Sequence, residues 1–415
     1  MLINYFYLLF YFKKMGKICI SFFIIPFIVL IISIGMVVFN SQNPTFHEKN
    51  LDSRNIELVL TEKTNILNDN GTLNLIGWGR SPVNYVFDPK NIKPSTTLSP
   101  FLNFLRYKKW EFYMITHPDF ALGLAVFDVS YVGGNFVHFN DLTKPADKIY
   151  TEETLNPFNK PKIYENCWND CESASYSFDS KLKFSSSKEK NKNSQVIEFS
   201  YNVPNLKIEF KSRVSCPECD SIVTTTPINE DTTLFYHNVK SYGMSQTGKI
   251  KINDKSYNLK DCTIAYDSGR GAWPVASGWL WMTSSGKTKD GKNISLNIGH
   301  GFSHPKSSQH TEDSFFIDGK IFKLPAVITK EVKHEYPNTS TYWSFESVEH
   351  SVLKNRCDFR LDITKSANLD QDFKLFKVDF KINYGKISGK CKDGEGKVYE
   401  FENILGFLEI KRSVW

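Results

Sequence analysis

Alternation of apolar and polar residues at period two recurs along this chain and constrains its fold more than any other feature. Residues 206–214 read LKIEFKSRV, so an extended segment there carries one apolar and one wet face. Residues 357–363 (CDFRLDI) and 376–384 (FKVDFKINY) repeat the pattern, and 196–201 is a shorter case. Residues 120–132 are apolar on both faces, as in a strand covered from two sides. Two apolar arms around Asp318-Gly319 read as a hairpin over 314–324, because that dipeptide suits a type I′ turn. Glycine-containing turns are expected near 385, 389, 394 and 396. Helix signals are scarce. Ser99-Pro100 looks like a cap opening one short helix towards Arg106. Many short strands separated by turns imply a mainly β, antiparallel barrel or sandwich architecture rather than βαβ units. The 415 residues provide material for two such units, 58–245 and 246–415. Aromatic residues, 14% of the chain with 33 Phe and 19 Tyr, suit large β cores.

Residues 18–39 form an uncharged apolar run of 22 residues, long enough to cross a bilayer. Lys13, Lys14 and Lys17 precede it without a nearby acid, which keeps residues 1–17 cytosolic and sends the C-terminal portion to the lumenal or extracellular side. The expectation is a single-pass signal anchor in the secretory membrane system; a cleaved signal peptide is the rival, given Ser33 and Gly35. Residues 40–57 read as a polar linker. The formal charge of +6 falls to 48 basic against 45 acidic residues without those three lysines, which gives no case for a nucleic-acid partner. The Lys-rich stretch near 181–192 reads as a solvated loop.

Eight cysteines are present, one of them, Cys19, in the apolar run. Cys167 with Cys171 and Cys216 with Cys219 are the disulfide candidates, within or across the pairs; a four-cysteine zinc site is the alternative. Asn70, Asn293 and Asn338 head glycosylation sequons. His300, His304 and His310 could be metal ligands but read more as a surface loop, so no metal and no cofactor is expected. Nucleotide-binding loops, zinc-protease motifs and the serine-hydrolase elbow are absent.

Three clusters stand out. GWGRSP at 77–82 is followed by RYKKWEFY at 106–113; DSGRGAWP at 267–274 is followed by GWLWM at 278–282; LNIG at 296–299 is followed by TED at 311–313. Through Arg80, Pro82, Lys109, Trp110, Glu111, Phe112, Asp267, Gly269, Arg270, Trp273, Pro274, Trp279, Trp281, Asn297, Gly299, Thr311 and Glu312, in that order, the chain resembles the Domain-of-Unknown-Function family 2804 over roughly residues 58–415. Asp313 stands where that family often has Asn, and His300 where a smaller residue is commoner. The resemblance implies two lipocalin-like units, similar to the barrels of carotenoid hydratases and tocopherol cyclases. A barrel mouth of that kind could hold an apolar ligand.

Trp110, Trp273, Trp279, Trp281 and Asn297, with Arg80, Glu111 and Arg270, are the expected ligand-binding residues; Trp279 and Trp281, two apart on a strand, share a face. Asp267 and Glu312 are the best pair for acid–base work, one carboxyl giving a proton and the other stabilising the developing cation. Ordinary core packing of the tryptophans, and Arg–carboxylate pairing that closes a barrel end, are the competing structural readings. The expected function is binding of an apolar or amphipathic, lipid-like ligand. The alternatives are a hydratase, cyclase or isomerase acting on a lipid-like or isoprenoid substrate, and a carbohydrate-active protein.

Overall fold

The computed structural model describes residues 57–414 except 94–105, 145–148, 157–160, 164, 166–171, 177–179, 187–193, 217, 231, 275, 303–310, 334–340, 370 and 373–376. Those residues are mainly β. Sheets of eight, seven and ten strands carry the chain, and no α-helix occurs among the described residues. All pairings within these three sheets are antiparallel; one short pair, Thr64–Asn65 with Tyr85–Val86, is parallel. The 18–39 run, the linker, the short helix expected after Ser99, Cys167, Cys171, Asn338, His304 and His310 lie outside the described residues. Among the described residues no helix is long and apolar enough to cross a membrane.

The alternating segments become half-buried strands. Leu206–Ser215 is buried at every second position, with Leu206, Ile208, Phe210 and Val214 inside, each worth roughly 1.5–3 kcal/mol on full burial. It sits in the seven-stranded sheet, whose apolar face packs on the eight-stranded sheet through Tyr113, Leu122, Leu124, Val126, Ile197 and Phe199. Phe120–Asp128, apolar on both faces, lies inside the eight-stranded sheet, which is covered on its other side as well. There Phe112, Met114, Ala121 and Ala265 meet Trp281, Phe316, Ile382, Tyr384 and Phe407 of the ten-stranded sheet. Three layers result, with the eight-stranded sheet as the middle wall. The ten-stranded sheet curls around a core of its own.

The expected hairpin forms as Ser314–Ile317 and Lys320–Lys323, with Asp318 and Gly319 both at positive φ (47° and 80°), as a type I′ turn requires. The chain enters the ten-stranded sheet between Ala272 and Ala276, after Thr263–Ala272 has paired with Tyr107–His117 in the middle wall. Two expectations need correction. The Lys-rich segment begins as a strand, Ser180–Ser186, because Leu182 and Phe184 alternate with its lysines and are buried. Gly385 and Gly389 lie inside Lys377–Lys392 rather than in turns. A side chain at 385 would strike the Asp362 carbonyl at 2.0 Å, and Gly389 follows a bulge. Cys216 bonds Cys219, one of the expected pairings, and Cys357 bonds Cys391, directly opposed on neighbouring strands, a pairing that spacing alone does not suggest. Cys262 is free and buried, which pushes its thiol up to about 12. Asn70 and Asn293 are exposed.

Candidate functional site

Strand parity decides what faces the gap between the eight- and ten-stranded sheets. From the middle wall come Tyr236, Asn238 and Lys240 on Phe235–Ser241, Asp267 and Gly269 on Thr263–Ala272, and Trp110 and Phe112 on Tyr107–His117. Register places Lys240 opposite Asp267 and Trp110 opposite Gly269. Gly269 lets the Trp110 indole lie across the strand; a Cβ there would stand 2.0 Å from the ring. From the ten-stranded sheet come Trp279, Trp281 and Thr283 on Ala276–Lys287, Asn297 and Gly299 on Asn293–His300, and Glu409 on Val398–Val414.

The two expected carboxylates meet here, with a lysine between them. Lys240 Nζ lies 3.1 Å from Asp267 Oδ2 and 3.3 Å from Glu312 Oε1, all three side chains being at most 9% exposed. The ammonium also sits 3.9 Å above the Trp281 ring, a favourable cation–π placement. Asp267 Oδ1 accepts from Trp110 Nε1 (3.2 Å) and Asn238 Nδ2 (2.5 Å). Glu312 Oε2 accepts from the Tyr236 hydroxyl at 3.0 Å, whereas Oε1 is buried without an aligned donor. Gly299 makes room for that carboxyl, since a Cβ there would lie 2.1 Å from Oε1. Asn297 fixes the surroundings. Its Oδ1 accepts from Trp281 Nε1 (2.8 Å) and the Tyr242 hydroxyl (3.0 Å), and its Nδ2 donates to the Glu312 carbonyl (2.7 Å).

Burial holds the Glu312 carboxyl above the ordinary carboxylate range; Lys240 pulls it down and Asp267 pushes it up. Glu409, paired in register with Trp281 and accepting from Trp279 Nε1 at 2.6 Å, is likewise raised by burial and lowered by Lys411. Burial thus makes Glu312 a weaker acid than an ordinary carboxyl. Once it gives its proton up, Lys240 and Tyr236 are in place to stabilise the carboxylate.

At one end of the gap the aromatic rings gather. Trp273 meets Trp110 (5.7 Å) and Trp279 (5.3 Å) edge to face, and Phe302 stacks on Tyr236 at 4.4 Å. The recess beside them, lined by Ile228, Trp273, Ser277, Gly278 and Phe302 among others, has a volume of about 10 Å³, the size of one water.

The remaining expected residues are elsewhere. Arg270 and Glu111 lie on the opposite face of the same wall, paired at 2.7 Å, with Glu111 also accepting from the Tyr266 hydroxyl. They form a buried Arg–carboxylate pair on the side of the first core. Arg80 is partly exposed, binds Glu57 (2.7 Å) and donates to the Ile321 carbonyl (3.0 Å). Asp313 accepts from the Gly299 and Val327 amides, and His300 bonds Thr329. Among the described residues no cluster of His, Cys, Asp and Glu is arranged to hold a metal. Lys240, Tyr236, Asn238, Tyr242 and Glu409 were not singled out from sequence. Their signal is spacing by two, with 236, 238 and 240 on one face of one strand.

The family profile described as Domain of unknown function (DUF2804) matches residues 57–415. A comparison with curated proteins finds no match. Among solved structures, CghA is 10% identical, with 77% of this chain and 94% of CghA covered at a TM-score of 0.46. An AttH protein of Nitrosomonas europaea is 10% identical, with 77% and 98% covered at 0.42. Kievitone hydratase from Nectria haematococca is 14% identical, with 74% and 88% covered at 0.38. Similarity at this level carries no inference about activity.

Proposed function

We propose, for a chain that belongs to the family described as Domain of unknown function (DUF2804), that the gap between the eight- and ten-stranded sheets binds an apolar or amphipathic small molecule and that Glu312 exchanges a proton with it. The observation that carries this reading is the buried row Asp267–Lys240–Glu312. Three ionisable groups buried in a sheet interface return little net stability after desolvation, which favours a functional role, and one Glu312 oxygen is left without an aligned donor. Trp110, Trp273, Trp279 and Phe302 offer the apolar contact area. The ligand enters by displacing the Phe302 ring from Tyr236, which brings it against the Tyr236 hydroxyl and the Glu312 carboxyl beyond.

In the acid form Glu312 donates to a double bond or a leaving oxygen; Asp267 holds the Lys240 side chain beside it, so the conjugate base is stabilised as it forms. The reaction class is that of a hydratase, cyclase or isomerase. Simple carriage of the same ligand is the second reading, favoured by the apolar rings of Trp273, Trp279 and Phe302 at one end of the gap. Anchoring of this β portion to a membrane by the 18–39 run is part of the proposal. Resistance of the chain to alkaline carbonate extraction supports it, and release into the supernatant sinks it.

The deciding experiment is native mass spectrometry of the purified chain with extraction of whatever co-purifies, followed by Glu312→Gln and Asp267→Asn. An enzyme loses turnover of the extracted class in both variants while still binding it. A carrier keeps its affinity and shows no turnover in either form. Failure of the folded protein to bind any apolar or amphipathic compound refutes both readings.

A further inference from the structure

The Cys216–Cys219 turn does not touch the site just described, yet it sits where the edges of the two large sheets meet. Asp220 follows it, and its amide donates to the Gly319 carbonyl (2.8 Å), while its carboxylate accepts from the Ile321 amide (3.1 Å). Lys320 Nζ donates to the Glu218 carbonyl (2.5 Å), and Arg80 reaches across to Ile321. The hairpin tip packs against the sulfur. A Cβ at Gly319 would stand 2.4 Å from Cys219 Sγ, and one at Gly243 would meet Gly319. The disulfide-bonded turn therefore holds the 314–323 hairpin to the first β unit, and Glu312 and Asp313 lead directly into that hairpin.

The two disulfides among the described residues differ in how they can be reached. Cys357 and Cys391 are 2% and 0% exposed within a continuous sheet, so a thiolate reaches them only after unfolding. Cys216 and Cys219 are part-exposed in a turn and close a loop of separation 3 rather than 34, so chain entropy favours their bond less. Once reduced, the Cys219 thiol has the Gly243 carbonyl 3.5 Å away as an acceptor.

We propose that Cys216–Cys219 is a thiol–disulfide exchange site whose reduction by a dithiol frees the 314–323 hairpin from the first β unit. A thiolate of the dithiol attacks Cys216 Sγ, because Cys219 Sγ is backed by Gly243 and Gly319. The Cys219 thiolate leaves and takes a proton. The second thiol of the reductant then attacks the mixed disulfide and frees Cys216. Two electrons and two protons pass to the protein, and the reductant ends as its cyclic disulfide.

The test treats the full folded chain with graded dithiothreitol, alkylates it, and follows amide exchange by mass spectrometry. The expected result is alkylation of Cys216 and Cys219 while Cys357–Cys391 stays bonded, with exchange at Asp220 and Ile321 at least tenfold faster. Cys216→Ser/Cys219→Ser should show the fast exchange without reductant and no further response to it. Parallel reduction of both disulfides overturns the proposal, as does exchange at Asp220 and Ile321 that reduction leaves unchanged. The arm on the natural chain decides the matter if the double variant does not fold.

Discussion

Replacing Lys240 with methionine removes the one cation between Asp267 and Glu312 while keeping most of the side chain's volume. At 3.1 and 3.3 Å, each ion pair is worth about 5 kcal/mol of gross attraction at an effective dielectric near 20. Desolvation of three groups that are at most 9% exposed opposes this by several kcal/mol per ion, so the net value of the array is small. Removing Lys240 alone is different, because it leaves two buried carboxylates facing each other with nothing to neutralise them. The expected loss is about 3–5 kcal/mol at pH 7. Urea unfolding followed by tryptophan fluorescence measures it, since the ammonium also lies over Trp281. The triple variant Lys240→Met, Asp267→Asn, Glu312→Gln takes away all three charges, and its stability should return to within about 2 kcal/mol of the natural chain. A Lys240→Met loss below about 1 kcal/mol, or a triple variant as unstable as the single one, would refute this electrostatic account of the site.

Glu312 gives a prediction in pH. Its folded pKa is raised, so the folded state holds the proton more tightly; that contribution is complete below about 4.5 and is lost as pH rises through the raised value. Glu312→Gln should therefore gain stability relative to the natural chain as pH rises above 4.5, and a difference that stays constant as pH rises contradicts the reasoning. His138 and His237 work in the opposite sense. Burial lowers both to about 3, so their contribution is present above 6.5 and drains away as pH falls towards 3, at about 1.4 kcal/mol per pH unit for each proton taken up. His138→Phe, whose ring can stack between Phe136 and Tyr384, should lower the acid slope by about one proton in urea titrations from pH 6.5 to 4. Gly299→Ala places a methyl 2.1 Å from Glu312 Oε1, so the carboxyl must swing away from Lys240. Stability should fall by about 1–3 kcal/mol, and turnover, once a substrate is found, by more than tenfold. An alanine variant with unchanged stability counts against the close approach.

The strands were legible wherever one face is wet. Leu206–Ser215 and the 314–323 hairpin follow directly from alternation and from Asp318-Gly319. The middle wall was harder to parse, because Phe235–Ser241 is buried at every position and its Asn238 and Lys240 look like solvent-facing residues in a one-dimensional pattern. Lys240 was missed for that reason, although Asp267 and Glu312 were selected and do converge on it. Parity could have separated Asp267 from Arg270, which are three apart on one strand and so on opposite faces. The Cys357–Cys391 bond required the register of two long strands, which a bulge at Ile363 shifts. Gly385 looked like punctuation because a missing side chain in a strand carries the same letter as a turn.

The middle wall has a consequence for how this protein can change. Thr263–Ala272 gives Arg270 to one core and Asp267 to the other, so a single strand answers to two sets of neighbours. A substitution that re-seats the Glu111–Arg270 pair tilts the strand that presents Asp267 to Lys240, without touching either. Variation behind the wall is then felt in front of it, and relatives with a different residue at 111 or 270 should carry matched changes around 240 and 267. The row at 240, 267 and 312 is thereby coupled to a face that it does not border.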